Sequence, residues 1–517
     1  MRRGLLIVIL VAAGGTAAAD VSTDEQDAYE RARPVFEKYC TKCHSPSSPG
    51  ADSMAIEHLD MGAYPFKGHH AAEAGAEVRE ALGASGEPAT MPDDEPGAVK
   101  GADLDVVLAW AAAFDRAHGG GGMDMDMDMH DMDMDHDMAG MHHMSGMSMD
   151  MREGSGTAWQ PAATPMAMHH EMRGGWMLML HYSLHAGYDW QATPRGEDRP
   201  FALGWFMGMA DHALAGGDFG LRVMLSPEAI FLGKRGIPLL LQSGEGLVDH
   251  QHAHDLFMEI AARYTRALSD DVSFVVYGAP VGEPAVGPVA FPHRPYALYD
   301  MTATLGHHWQ DSTHISFGVV SLGVFTKHVK LDASLFNGRE PDADRYDFDF
   351  GSLDSYAARL TINPSDHWSA EVSYAYLDQP EASEPGVHVR RAVASVTYAG
   401  DDLDVTAVLG RNLPTGSAQS SAALIEASGH VCDHVVLFGR AELLEKLGAE
   451  LQLADADKIF GMGSLGAGAV YEFDLPHHAQ LGVGARVTAD FVGDLRAAYG
   501  TTTPAGAMLY VEAHPKR

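Results

Sequence analysis

Two thiols and an imidazole in the string Cys40-Thr41-Lys42-Cys43-His44 carry the most specific chemistry in this chain. The C-x-x-C-H spacing is the one through which two thioether bonds hold a c-type haem while the histidine ligates its iron. A redox disulfide would need a thioredoxin-like βαβ setting, and a zinc site would need a second pair of ligands. Cys432 is the only other cysteine, so covalent haem c is the expected cofactor, held by Cys40, Cys43 and His44. Such attachment takes place outside the bacterial cytoplasm, and the N-terminus agrees. Arg2 and Arg3, an apolar run from Leu5 to Ala13 and then Ala17-Ala18-Ala19 read as a signal peptide over residues 1–19.

A second set of donors runs from Met123 to Met151 as MDMDMDMHDMDMDHDMAGMHHMSGMSMDM. In an extended chain the thioethers of Met123, Met125, Met127 and Met129 fall on one side and the intervening carboxylates on the other. Thioethers are soft donors that select Cu(I), whereas imidazoles and carboxylates suit Cu(II). Met132, Met134, Met138, Met141, Met144 and Met147, with His130, His136, His142 and His143, complete a candidate copper-binding set for both oxidation states. A polar low-complexity tract buries too little surface to fold alone. Residues 119–174, opening on Gly119 to Gly122, are therefore expected to be a disordered Met/Asp/His-rich linker, its bias extended by Met166, Met168, His169, His170 and Met172.

A third set lies further on. His250, His252 and His254 alternate between Asp249 and Asp255, and in an extended chain their imidazoles would share one face as copper or zinc ligands. His307, His308, Asp311 and His314 form a second such group, and solvated polar loops are the alternative for both. No nucleophile and base stand in a spacing that supports hydrolysis.

These donors need scaffolds, and a chain of 517 residues is long enough for several folding units. Over residues 20–118, Thr23 can cap a first helix with Gln26 three residues on, and Tyr29, Val35, Phe36 and Tyr39 lead up to the cysteines. Leu104, Val107, Leu108, Trp110, Ala111 and Phe114 keep helical spacing from about Asp103. A helix ending at the C-x-x-C-H motif, a loop-rich middle and a closing helix resemble a class I mono-haem cytochrome c. The resemblance implies a small all-α domain, electron exchange with a periplasmic donor or acceptor, and a methionine in the middle loop as sixth iron ligand. Met91-Pro92 in GEPATMPDDEPG matches that pattern, and Met54, Met61, His69 and His70 are its rivals.

From residue 175 to 517 the pattern changes to short alternating runs. In WSAEVSYAYL, Trp368, Ala370, Val372, Tyr374 and Tyr376 oppose Ser369, Glu371 and Ser373. Similar runs cover 176–189, 312–325, 329–336, 355–362, 389–398, 403–409 and 480–491, with turn signals at Asn337-Gly338, Asn363-Pro364-Ser365-Asp366 and Gly400-Asp401-Asp402. No apolar run beyond the signal is long enough for a membrane helix. Repeated alternation predicts an all-β antiparallel barrel of outer-membrane type, with on the order of 12 to 16 strands. A soluble sandwich or propeller is the alternative.

The strings LVDHQHAHDLF, GPVAFPHRP, LGHHWQDSTHISFG and FNGREPDADRYDFDFGSLDSYAARLTINP resemble a family of proteobacterial outer-membrane proteins. A Met-rich tract ahead of a barrel also resembles copper-resistance outer-membrane proteins in layout. These resemblances imply export to the outer membrane of a Gram-negative bacterium, contact with its lipid, and a cytochrome domain in the periplasm. Such barrels usually end in an aromatic residue on the last strand, whereas this chain ends Leu509 to Arg517 with Tyr510 the nearest aromatic. The formal net charge of -36 argues against nucleic acid and favours cations such as copper ions as partners. The expectation is a haem c electron-transfer protein of the outer membrane, linked to copper binding, redox conversion or resistance. The alternatives are electron transfer alone with a spacer tract, or a transport barrel for another solute with an attached redox domain.

Overall fold

The computed structural model describes residues 23–49, 51, 53–67, 74–84, 89–92, 95–118 and 152–516, apart from residues 245, 270, 383 and 476–478. The signal peptide, His69, His70 and the donors from Met123 to Met151 lie outside these residues. The chain divides into two compact units, parting after Asp137.

In the first unit the helices Thr23–Tyr39 and Ala102–His118 pack on each other through an aromatic core. Tyr29 stacks on Tyr64 with ring centroids 3.8 Å apart, and Phe36 meets Trp110 edge-on at 4.9 Å. Each such pair adds about 0.5–1.5 kcal/mol beyond its buried area. The fully buried Trp110 donates its indole N–H to Tyr64 Oη at 3.2 Å, and Tyr64 donates to Glu25. Short helices Ser53–His58 and Ala74–Ala81 occupy the middle. Gly75 lets the second of them approach the closing helix, since a Cβ there would stand 2.3 Å from Asp115 Oδ1 and 2.9 Å from the Ala111 carbonyl oxygen.

In the second unit sixteen antiparallel strands, from Trp176–Gln191 to Ala505–Pro515, close into a barrel, the last pairing with the first. A further short strand, His169–Arg173, forms a hairpin with the start of Trp176–Gln191. Strand Trp368–Leu377 keeps the expected alternation. Trp368, Val372 and Tyr374 are exposed, while Ser369, Glu371 and Ser373 are buried. Strand Val329–Phe336 turns Leu331 and Leu335 outward and Lys330, Asp332 and Ser334 inward. Strand Ser355–Ser365 does the same with Tyr356, Leu360 and Ile362 against Arg359 and Thr361. An apolar outer wall around a polar interior inverts the pattern of a soluble protein and makes this a barrel of outer-membrane type. Aromatic pairs near strand ends, such as Trp368 with Tyr398 at 4.9 Å and Tyr188 with Trp190 at 4.7 Å, suit the lipid headgroup level.

Short turns at residues 215–216, 326–328, 366–367, 400–402 and 433–434 gather at one end, and the long connections lie at the other. The tightest places Ala215 and Gly216 at φ 51° and 76°, as a two-residue hairpin of this hand requires. Segments 226–256 and 283–315, with 152–167, turn into the lumen, where their charges meet those of the wall. Arg294 bridges Asp311 at 2.9 Å and Glu426 at 2.5 Å, Arg440 reaches Glu426 at 3.0 Å, and Arg486 reaches Asp300 at 3.0 Å. Arg359 and Thr157 both bond Asp332 Oδ2, at 2.8 and 2.6 Å.

Several expectations need correction. Residues 152–174 do not continue the expected disordered linker, since 152–167 pack in the lumen and His169–Arg173 is a strand; Asn337-Gly338 opens a long connection, which the Asn337 amide pins by donating to the Asp349 carbonyl at 3.0 Å. The strand runs through Asn363-Pro364 to Ser365, which moves the turn to 366–367. The run expected from Ser312 becomes strand only at Ser316, after a helical turn. Tyr510 faces the lumen and donates to the Tyr299 carbonyl, so Leu509 and Val511 take the lipid face of the last strand.

A cation on the outer wall tests this orientation. Val372→Arg, at the middle of its strand, should destabilise the folded barrel by about 2–4 kcal/mol in lipid vesicles. Urea unfolding that leaves the variant unchanged would mean that this face does not meet lipid.

Candidate functional site

The haem motif sits where the first helix breaks. Cys40 precedes the helical turn Thr41–His44 and its carbonyl accepts from Cys43 N at 3.2 Å and His44 N at 3.1 Å. That turn sets the two sulfurs three residues apart on one side. Both are free thiols, and burial pushes the Cys40 thiol up to about 12, the opposite of the low pKa that a redox C-x-x-C needs. His44 is held at two points. Its Nδ1 donates to the Leu59 carbonyl at 2.9 Å, and its own carbonyl accepts from Met61 N at 2.7 Å. A ring that donates from Nδ1 keeps its lone pair on Nε2, the arrangement that second-shell bonding imposes on a metal-ligating histidine. The residues present therefore fit a covalently attached haem.

Among the candidate sixth ligands, Met61 is buried in the aromatic core beside Phe66 and Phe36, where its thioether is packing. Met91 stands 37% exposed, tethered by its backbone N–H to Ala81 O at 2.9 Å, and so presents an apolar thioether at the surface of a small domain. Nothing of the Met54 side chain is described.

The lumen histidines part company. His250 is the penultimate residue of strand Leu247–Gln251 and faces Glu197 Oε2 at 3.4 Å. The strand ends at Gln251, and His252 and His254 take other partners, the Ala253 carbonyl and Glu228. His254 Nδ1 donates to Glu228 Oε2 at 2.8 Å, and this partner raises the imidazole against the effect of burial. The expected shared face of His250, His252 and His254 does not form. His254 instead approaches His314, with rings 5.4 Å apart, and His314 approaches His307 at 5.1 Å. His307 Nδ1 donates to Asp311 Oδ1 at 2.8 Å. Two small cavities of about 10 and 20 Å³ lie among His252, His254, His307 and His308, each with room for one water or ion.

His308 lies beside His307, with ring centroids 5.7 Å apart, and also meets two carboxylates. Its Nδ1 lies 3.1 Å from Glu340 Oε1 and 3.2 Å from Glu381 Oε1. Burial alone would lower this imidazole, but the two carboxylates carry it up to about 10. Burial also opposes ionisation of Glu340, yet His308 draws it down to about 2, while burial and the Glu340 charge raise Glu381. The ligand atoms of His308, Glu340 and Glu381 lie within 4.8 Å of one another, so the same cluster that holds a proton on His308 also has the spacing of a metal site.

A further cavity of about 90 Å³ is lined by Met166, Met207, Met209, His181 and His293, a thioether and imidazole set. Sequence reasoning also passed over His185, Glu472, Glu512 and His514, which the closing strands bring together with His430 inside the wall. Their spacing along the chain carries no motif. The one local signal is Glu512 and His514 at alternate positions of the last strand.

No protein-family model matches this chain, and no curated protein does. Solved structures do. Salmonella typhi OmpF in complex with daunomycin is 11% identical, with 67% of this chain and 100% of that chain covered at a TM-score of 0.44. Outer-membrane expressed OmpT of Vibrio cholerae is 6% identical, covering 67% and 100% at 0.41. The outer membrane channel DcaP of Acinetobacter baumannii is 9% identical, covering 66% and 99% at 0.41.

The His308 cluster makes stability depend on alkaline pH. A histidine raised from 6.5 to about 10 binds more protons folded than unfolded between those values, so its contribution is complete below about 6.5 and falls as pH rises through 10. The stability difference between the native chain and His308→Gln should shrink from pH 7 to pH 10, read by urea midpoints. A constant difference would show that His308 carries no extra proton.

Proposed function

We propose that this chain is a haem c electron-transfer protein of the outer membrane, with a periplasmic haem unit and a Met/Asp/His tract that binds copper. The observation that carries the haem reading is the His44 ring, clamped through Nδ1 to Leu59 beside the two cysteine thiols. When bound, haem supplies a one-electron centre whose potential a thioether ligand raises. Within the chain, Cys40 and Cys43 would attach it, His44 Nε2 would ligate the iron, and Met91 would supply the thioether.

The barrel supports the placement of this unit. Arg152, the first described residue of the second unit, donates to Thr326 O at 3.3 Å and also to Lys327 O, in a short turn. Its guanidinium stacks on Trp159 at 3.9 Å. Short turns mark the periplasmic end of such barrels, and Arg152 lies at that end of the second unit. Copper is supported by the composition of the tract 123–151, whose thioethers accept Cu(I) and whose imidazoles and carboxylates accept Cu(II). The porin-like barrel also supports a second reading, transport of another solute, which would require segments 226–256 and 283–315 to leave the lumen.

Reduced protein should give the spectrum of one low-spin haem, and the ferric form an absorption band of methionine bound to iron. Met91→Ala should abolish that band. Its survival would exclude Met91 and bring Met54 forward, and its absence from the native protein would bring His69 or His70 forward.

Copper and haem should also be coupled. Stopped-flow mixing of Cu(I) with oxidised protein, or Cu(II) with reduced protein, should change the haem oxidation state faster than in a variant lacking 123–151, because a tether keeps bound metal at high local concentration. Equal rates would make the tract a spacer.

A further inference from the structure

We propose that His185, Glu472, Glu512 and His514 form a site for one divalent first-row transition metal ion, which pins the seam where the barrel closes. The four side chains come from the first full strand, Trp176–Gln191, from Ile459–Leu475 and from the last strand, Ala505–Pro515. Glu512 is register partner to His185 across the seam itself. All four are buried, at 4% exposure or less.

The distances are those of ligands without a hydrogen-bond network. His185 Nε2 lies 3.5 Å from Glu512 Oε2, and His514 Nε2 lies 3.5 Å from both Glu472 Oε1 and Glu512 Oε1. Both nitrogens of His185, both oxygens of Glu512, Glu472 Oε1 and His514 Nε2 lack any hydrogen-bond partner. Buried polar atoms without partners are rare, and this group calls for an explanation: ligand atoms of Glu472, Glu512 and His514 lie within 4.8 Å of one another, and His185 stands against the other oxygen of Glu512. His514 Nδ1 meets the Pro515 carbonyl at 2.7 Å and must donate to it, which leaves the lone pair of Nε2 aimed at two carboxylates. That arrangement is repulsive unless Nε2 carries a proton or a metal cation stands between. An imidazolium would draw the oxygens to about 2.7–2.9 Å. Four donors at about 2.0–2.1 Å from a tetrahedral ion stand roughly 3.3 Å apart.

The backbone makes room for this cluster. Gly482, on the strand between Glu472 and Glu512, would carry a Cβ 2.4 Å from Glu512 Oε1, so only glycine leaves space for both carboxylates. His430, 23% exposed, lies 3.1 Å from Glu472 Oε2 and connects the cluster to solvent at the short-turn end. Two imidazoles and two carboxylates suit Zn(II) or Cu(II), and the absence of sulfur from the set disfavours Cu(I).

The test uses the full chain, stripped with chelator in detergent and titrated with Zn(II) or Cu(II) alongside Glu512→Gln and His185→Asn. Because the tract 123–151 is present in every sample, its binding cancels in the comparison. The native chain should bind one equivalent that each variant binds at least roughly ten-fold more weakly. Zn(II) should raise the temperature at which the compact gel band unfolds in the native chain and not in the variants. Equal stoichiometry and affinity, or an equal rise, overturns the site. If a variant gives no compact band, X-ray absorption of the native chain at one equivalent of Zn(II) decides. A nitrogen and oxygen shell with two imidazoles supports the proposal, and a sulfur shell or a single imidazole overturns it.

Discussion

A strand that must offer lipid an apolar face has only its alternate positions left for polar residues, and in a closed barrel those positions point inward. Everything inside this barrel follows from that constraint. Lys330, Asp332, Arg359, Glu371, Glu426 and Arg440 are all buried on the inner wall. Unpaired, each would bear the desolvation penalty of an ion removed from water. The inward segments supply the partners: Arg294, itself bridged to Asp311, for Glu426, Asp300 for Arg486, and the Thr157 hydroxyl as a hydrogen-bond partner of Asp332 and Arg359. The lumen is filled because its wall is charged, and its wall is charged because its outside is greasy.

The wall was legible where outward residues are large and inward ones polar. Strands Val329–Phe336, Trp368–Leu377 and Val389–Ala399 follow their alternating runs within a residue. Strand Ile459–Leu475 escaped notice, since Gly461, Ala467 and Ala469 stand outside while Met462 and Val470 stand inside, and the period of two blurs. Strand Arg199–Leu214 was hidden for a different reason. Leu203, Trp205 and Met207 face a hydrophobic cluster in the lumen that includes Leu232, Ile237 and Tyr296, so both of its faces are apolar. Apolar packing inside the barrel cannot be foreseen from a strand read by itself.

The sites divide in the same way. Cys40, Cys43 and His44 are neighbours in the chain, so their chemistry is written in one string, and the helix ends around them fell where caps and spacing put them. The alternating lumen histidines looked equally local, yet the strand stops at Gln251 and the shared face is lost. Ligands drawn from residues 185, 472, 512 and 514 depend on strand register, which no local pattern encodes. Beyond the alternation of Glu512 and His514, Gly482 is a further hint, and its meaning appears only once its neighbours are known.

The threading of residues 152–167 through the interior bears on how such a chain reaches its folded state. Thr157 is fastened to Asp332 and Arg359, and Ala290 N bonds Ser155 Oγ at 2.8 Å, so three parts of the chain interlock inside the wall. A cylinder closed around an unfilled interior would strand those groups, and one filled before closing would expose them to lipid at the open edge. Neither halfway state is favourable. Insertion, closure and packing of the interior are therefore bound into a single cooperative event, in which segment 152–167 takes its place as the last strand zips onto the first.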